Sequence, residues 1–436
     1  MTTAICAWLR KRGVRVAPFK AQNMSNNSFP LPGGGEIGRA QVAQAEACGL
    51  EPSADYNPIL LKPDTDSRSQ VVVNGRVWKT LPARDYYGAF DFLLEQVLDA
   101  YQRVAARFEF IVIEGAGSVT EMNLRQTDLV NFGLATRVGA PAMLVADIDR
   151  GGVFASIVGT CCLLPPEERA LLRSWSVNKF RGDASLFTNG VEYLEKRTGL
   201  PCLGVFPHSS EIEVDAEDAV SFEGQNSLRS RVAILSFPRI SNLTDFRLLK
   251  GAEILSRPVE RQFDVIFLPG TKATNSDLAW LRSRGFEPWL HEQHRLGAHL
   301  VGICGGYQML GQRVGEDSGL GYLDIETDFC DEKTTVAVTA ELANGHRFPA
   351  YEIHMGQTTG TDEAIPFATI EGRPEGIRLP QVTGTYLHGA LEDSVVLSQI
   401  LGEHVEAPEP KTVHYNRLAD WFGENANTKL FEDLYL

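Results

Sequence analysis

The chain has no C-x-x-C pair, no basic excess and no long apolar run. Its seven cysteines are scattered over 436 residues, with one adjacent pair at Cys161 and Cys162. Neither a disulfide framework nor a zinc site is indicated, and a reducing, cytoplasmic compartment fits best. Lys and Arg number 41 against 56 Asp and Glu, a formal net charge of −15, which argues against non-specific nucleic-acid binding. No apolar stretch approaches the ~18 residues that a bilayer span needs. The basic cluster Arg10-Lys11-Arg12 follows the first apolar segment, the reverse of a signal peptide. Internal repeats, coiled-coil heptads and low-complexity tracts are also missing. What remains is 43% apolar and 22% charged, ordinary for a globular protein of two or three domains.

What is present is a succession of short apolar runs separated by helical segments. Residues 2–12 read as a helix ended by Gly13, and 14–19, 108–113, 142–146, 175–177 and 202–205 read as strands. Strands spaced by helices imply a parallel sheet with ligands at the strands' carboxyl ends, and polar residues cluster there. Glu114 opens Glu114-Gly115-Ala116-Gly117-Ser118, placed to hold Mg²⁺ beside a phosphate. Asp147 and Asp149 follow the next run, with Arg150 behind them, and Asn178-Lys179 with Arg181 follows a third. Each alone is ordinary turn chemistry, but together at successive strand ends they mark a nucleotide-dependent domain over residues 1–208. Residues 209–229, with Glu211, Glu213, Asp215, Glu217 and Asp218, read as an acidic connector. From Val232 a second strand series (232–235, 265–268, 299–303) builds another α/β domain over 230–436.

The most informative stretch is Gly302-Ile303-Cys304-Gly305-Gly306-Tyr307-Gln308. An apolar strand ends at a cysteine, glycines follow, and an amphipathic helix begins: a nucleophile elbow with cysteine in place of serine. Glycine allows the tight turn and the close approach of a substrate carbonyl, and a helix start favours a thiolate and a developing oxyanion. A lone cysteine is more often a buried structural residue; the flanking Gly302, Gly305 and Gly306 shift the reading to a nucleophile. For its base, His388 in Gly384-Thr385-Tyr386-Leu387-His388-Gly389 competes with His354 in Tyr351-Glu352-Ile353-His354-Met355-Gly356.

Cys304 and His388, with their motifs, resemble class I glutamine amidotransferases. The resemblance implies that Cys304 attacks the glutamine side-chain amide while His388 manages the proton. It places the oxyanion between Gly270, in Leu268-Pro269-Gly270-Thr271, and the N–H of Gly305. Many members carry a glutamate two positions after the histidine, where this chain has Ala390; cobyrinate-type members instead carry the Y-E-I-H-M-G segment, which makes Glu352 and His354 site-lining candidates. No third member of the catalytic set is assigned.

Across essentially the whole chain the sequence resembles the cobyric acid synthase family. The matching stretches include F-K-A-Q-N-M-S-N-N-S at 19–28, N-P-I-L-L-K-P at 57–63, E-G-A-G-S at 114–118 and A-D-I-D-R-G-G-V-F-A at 146–155. N-K-F-R-G-D at 178–183, S-N-L-T-D-F at 241–246 and L-P-G-T-K-A-T at 268–274 complete the set. The resemblance implies a P-loop, dethiobiotin-synthetase-like parallel-sheet domain joined to a class I glutaminase domain. It implies a glutamine-hydrolysing, ATP-dependent amidoligase of cobalamin biosynthesis, with glutamine, ATP with Mg²⁺, and adenosylcobyrinic acid a,c-diamide as partners. Lys20, Arg150 and Arg181 are then candidates for phosphate or substrate carboxylates. The related a,c-diamide synthases carry a different sequence where this chain has Lys20-Ala21-Gln22-Asn23-Met24. A glutaminase on a disabled synthetase scaffold is the reading from another functional class.

One departure bears on this. The family opens with a strand and a glycine-rich phosphate loop ending in Gly-Lys-Ser, whereas this chain opens at the helix expected to follow that loop. Either the start is misplaced or the chain is truncated. The intact state of the other motifs favours the former. For the chain as written the expectation is glutaminase chemistry with weak or absent ATP-dependent amidation.

Overall fold

The computed structural model describes residues 1–65, 67–209, 211–214, 231–360 and 365–436. Most of the expected acidic connector, including Asp215, Glu217 and Asp218, lies outside the described residues.

The first unit opens with the helix Thr2–Lys11, which buries Ala4 through Leu9 and ends at Arg12 and a left-handed Gly13, the usual glycine stop. Parallel strands follow in register: Val16–Phe19 pairs with Phe110–Ile113, and Leu172–Phe180 lies between Ala142–Asp147 and Cys202–Pro207. The last two helices, Lys411–Asn425 and Thr428–Tyr435, return to this unit. Phe422 and Phe431 each place a ring 5.4 Å from Trp8, and Phe422 stacks on Phe206.

In the second unit the strand order is Glu253–Leu255, Val232–Leu235, Val265–Leu268, His299–Ile303, Val382–Thr385, Ile377–Arg378. All pairs but the last are parallel. Its central strands are buried on both faces, which is why they read as continuous apolar runs.

Antiparallel elements absent from the sequence reading complete the fold. A meander of Ile59–Thr65, Arg68–Val73 and Arg76–Pro82 joins Gln22–Met24 in a four-stranded sheet. Its second turn is Asn74-Gly75, with φ of 48° and 81°, the left-handed pair of a two-residue hairpin. A long hairpin, Ile325–Glu341 with Arg347–Gly360, turns near Asn344-Gly345 and carries Glu352 and His354. The strand leading toward His388, Val382–Thr385, ends before it.

Candidate active site

Cys304 stands at the end of the His299–Ile303 strand and caps the short helix Gly305–Met309. Its φ of 50° and ψ of −108° lie in a region that residues other than glycine rarely adopt, a strain of about 1–3 kcal/mol. The turn is held by its neighbours. Cys304 N–H donates to Thr385 O at 2.8 Å, and a Cβ on Gly306 would fall 1.9 Å from Leu268 O. Only glycine lets this helix start lie against the Val265–Leu268 strand. The thiol is buried and directed to Ile353 O at 3.6 Å.

His388 is fully buried beside it. Its Nδ1–H donates to Asp245 Oδ2 at 2.7 Å, and Gly389 N–H donates to the other oxygen of that carboxylate, also at 2.7 Å. This fixes the ring with Nε2 turned away from Asp245, buried and without a hydrogen-bond partner among the described residues, on the side of Cys304. Burial alone would push the ring's pKa down; the Asp245 carboxylate and then Cys304 outweigh it and raise it to about 10. Tyr351 stacks on the ring at 5.4 Å and exchanges backbone hydrogen bonds with His388.

Asp245 was left without a role in the sequence, although it lies in the S-N-L-T-D-F stretch. It is completely buried in the short helix Leu243–Phe246, 143 positions from His388 in the chain. The third partner that is missing at Ala390 therefore comes from a different loop.

Gly270 and Gly305 both border this pair. A Cβ on Gly270 would fall 2.7 Å from His388 Cε1, and one on Gly305 would fall 3.1 Å from Thr271 N. His354 lines the same cavity as Cys304. Its Nδ1–H donates to Gly356 O at 2.8 Å, its ring stacks 3.9 Å from Tyr386, and Glu352 lies 3.7 Å from Nε2. Gln308 completes the floor, with Thr274 and Tyr386 as partners.

The cavity has a volume of about 120 Å³ and is walled by both units: Asn26 and Lys62 from the first, Lys272, Lys333 and Cys304 from the second. Elsewhere the units are joined by Arg39 and Arg247 sharing Glu392, by Phe29 against Tyr351, and by Asn242 Oδ1 accepting from Ser28 N–H.

A larger cavity, about 480 Å³, lies across the meander sheet. Side chains alternate along a strand, and Leu61, Pro63, Ser69 and Val71 line this larger space, while the cross-strand pair Lys62 and Gln70 between them faces the other way, toward Lys272 and the Cys304 cavity. Ala116, Gly117 and Ser118 of the E-G-A-G-S stretch, with Leu124 and Arg125, form its far wall. The sheet is thus a partition with one cavity on each face.

The other sequence candidates fall into two groups, neither lining these cavities. Lys20 and Glu114 meet at 2.9 Å beyond paired strand ends, and Gln44 donates to the same carboxylate at 2.6 Å. Asp147 and Asn178 are register partners at adjacent strand ends; Lys179 reaches Asp147 at 2.9 Å, Arg150 lies 3.8 Å from Asp147, and Arg181 holds Asp149 at 3.1 Å. Among the described residues no cluster of three or more His, Cys, Asp or Glu side chains is placed to hold a metal, and no helix is long and apolar enough to cross a membrane.

Residues 1–221 match the model of the CobQ/CobB/MinD/ParA nucleotide binding domain, and residues 231–395 match that of the CobB/CobQ-like glutamine amidotransferase domain. A cobyric acid synthase of Cereibacter sphaeroides is 45% identical over 413 residues, covering 89% of this chain and 85% of the relative. Those of Dehalococcoides mccartyi and Chlorobium phaeobacteroides are each 40% identical, over 96% and 99% of this chain and 91% and 95% of the relatives.

Proposed function

As this chain belongs to the cobyric acid synthase family, we propose that it amidates corrinoid carboxylates with ammonia taken from glutamine, at the expense of ATP. The substrate is adenosylcobyrinic acid a,c-diamide, and the b, d, e and g carboxylates become amides. The observation that carries the reading is the buried Cys304–His388–Asp245 constellation, whose cysteine lines a cavity walled by both units.

Cys304 sulfur attacks the side-chain carbonyl carbon of glutamine. The oxygen takes up charge between the backbone N–H groups at Gly270 and Gly305, which replace the water it leaves. The His388 imidazolium gives its Nε2 proton to the departing nitrogen, and ammonia leaves. The same nitrogen then accepts a proton from the water that cleaves the thioester, and glutamate departs. Asp245 keeps Nδ1–H pointed away from the sulfur and stabilises the cationic ring, as a buried carboxylate does for other nucleophile–histidine pairs.

In the first unit a carboxylate of the corrinoid must acquire a leaving group, and phosphorylation by ATP supplies it. Lys20, Asp147, Asp149, Arg150, Asn178 and Arg181, at the carboxyl ends of parallel strands, are the residues for phosphates and carboxylates. A single strand-end carboxylate suits Mg²⁺ that is held chiefly by phosphate oxygens and water; Glu114 would be its protein ligand, and the ion would neutralise phosphate charge. The larger cavity, beside the E-G-A-G-S stretch, offers the space for acceptor side chains.

Mass spectrometry of adenosylcobyrinic acid a,c-diamide after incubation with the protein, glutamine and Mg-ATP tests this. Any ladder of successive amidations should run well behind glutamine hydrolysis, disappear with glutamine in Cys304→Ala and return with free ammonia. Glutamine hydrolysis without any ladder would leave only the glutaminase half standing.

A further inference from the structure

The cavity that holds the Cys304 sulfur carries more positive charge than its own residues balance. Lys62, Lys272 and Lys333 line it, and no carboxylate is among the lining residues. Behind them a single acid, Glu36, serves two: Lys62 Nζ lies 2.7 Å from one oxygen, and Lys333 contacts the other. Burial would raise the Glu36 pKa, but these ammoniums hold it well below the usual carboxylate range. Lys272 Nζ has a neutral partner instead, Gln70 Oε1 at 3.1 Å. Glu36, then Asp64 and Cys304, favour its charge from farther away, and Lys333 opposes it more strongly. Burial, reinforced by Lys333, pushes Lys272 down to about 8; burial, only partly offset by Glu36, pushes Lys62 down to about 7. That is the response of buried ammoniums whose desolvation one nearby carboxylate does not offset.

The same cavity contains an acceptor without a donor. Asn26 Oδ1 is buried and has no hydrogen-bond partner among the described residues. An amino acid whose side-chain amide reaches Cys304 brings an anionic carboxylate and a cationic ammonium at its other end. We propose that Lys272, supported by Lys62 and Lys333, binds the α-carboxylate of glutamine while Asn26 Oδ1 takes its α-ammonium, so that the first unit completes the glutamine subsite. This deepens the glutaminase reading and rests on it. A corrinoid side-chain carboxylate could meet the same lysines, but it brings no ammonium for Asn26 Oδ1.

The test compares kcat/KM for L-glutamine with that for L-glutamine α-methyl ester, in the full chain and in Lys272→Met and Lys272→Arg. The ratio within one preparation is independent of how much protein is folded. The unsubstituted chain should prefer glutamine by about 10–100-fold, the worth of a charge-assisted hydrogen bond. Lys272→Met should cut that preference about tenfold through KM for glutamine, and Lys272→Arg should restore most of it. An unchanged ratio in Lys272→Met, with hydrolysis intact, overturns the anchor alone. Competition between glutamine and cobyrinic acid a,c-diamide for the site would overturn it in favour of a corrinoid carboxylate. Absence of glutamine hydrolysis by the unsubstituted chain overturns the parent reading and the anchor together.

Discussion

Replacing Asp245 with Asn removes the charge that holds His388 protonated while keeping a side chain of the same shape. His388 is raised from 6.5 to about 10 despite its burial, a difference of up to about 5 kcal/mol between the two protonation states. Because the folded-state pKa lies above the unfolded one, the stabilisation is complete below about pH 6.5 and disappears as pH rises toward 10. With Asn at 245 only burial and the nearby thiol act on the ring, so the neutral form gains and the downward slope of stability over that window flattens. Catalytically, the variant loses the imidazolium that protonates departing ammonia and the fixed tautomer that aims Nε2. Proton transfer by a positioned side chain contributes about 10²–10⁴-fold, so kcat for glutamine hydrolysis should fall by roughly that factor. The assay is glutamate release from pH 5.5 to 10, alongside urea unfolding at pH 6, 8 and 9.5. An Asp245→Asn enzyme within threefold of the unsubstituted kcat, with the same pH profile, would refute the assignment of Asp245.

Three further outcomes follow from the packing. Glu375 accepts from Thr385 Oγ1 and Tyr386 N–H, both at 2.7 Å, in full burial that raises its pKa to about 7. Its ionisation therefore costs stability from pH 4.5 upward, fully above pH 7, and Glu375→Gln should stabilise by about 1–3 kcal/mol at pH 8 and by nothing at pH 4, read by urea unfolding. Gly306→Ala puts a Cβ on Leu268 O and should destabilise the second unit by about 3 kcal/mol or more; a melting temperature unchanged within about 2 °C would contradict the elbow geometry. Phe422→Ala opens the aromatic cluster with Trp8 and Phe206 and should cost about 3–5 kcal/mol in the first unit's unfolding, while glutamine hydrolysis persists.

How much of this was legible in the sequence follows from where each element's information resides. Val232–Leu235, Val265–Leu268 and His299–Ile303 could be read because a strand buried on both faces must be apolar throughout. The elbow could be read because glycines at 302, 305 and 306 are demanded by contacts as close as 1.9 Å. The meander and the long hairpin were not read, since their exposed faces dilute the apolar pattern, although Asn74-Gly75 and Asn344-Gly345 carry the usual hairpin-turn dipeptide. Asp245 was beyond local pattern altogether. Its partner is 143 positions away, and only the folding of the Leu243–Phe246 turn against the segment after Val382–Thr385 brings them together. The same holds for Lys62 and Lys272, which the sequence shows only as members of N-P-I-L-L-K-P and L-P-G-T-K-A-T. Their juxtaposition around one cavity is a property of the two units joined.

The central claim is that ammonia released at Cys304 reaches the activated carboxylate within one protein. Amidation with glutamine labelled with ¹⁵N in its side-chain amide, run in excess unlabelled ammonium at a pH where little is free ammonia, tests it most directly. The account predicts that the new amides of the corrinoid carry the label in the unsubstituted chain and lose it in Cys304→Ala. Product amides that match the unlabelled pool while glutamine is being hydrolysed would contradict it.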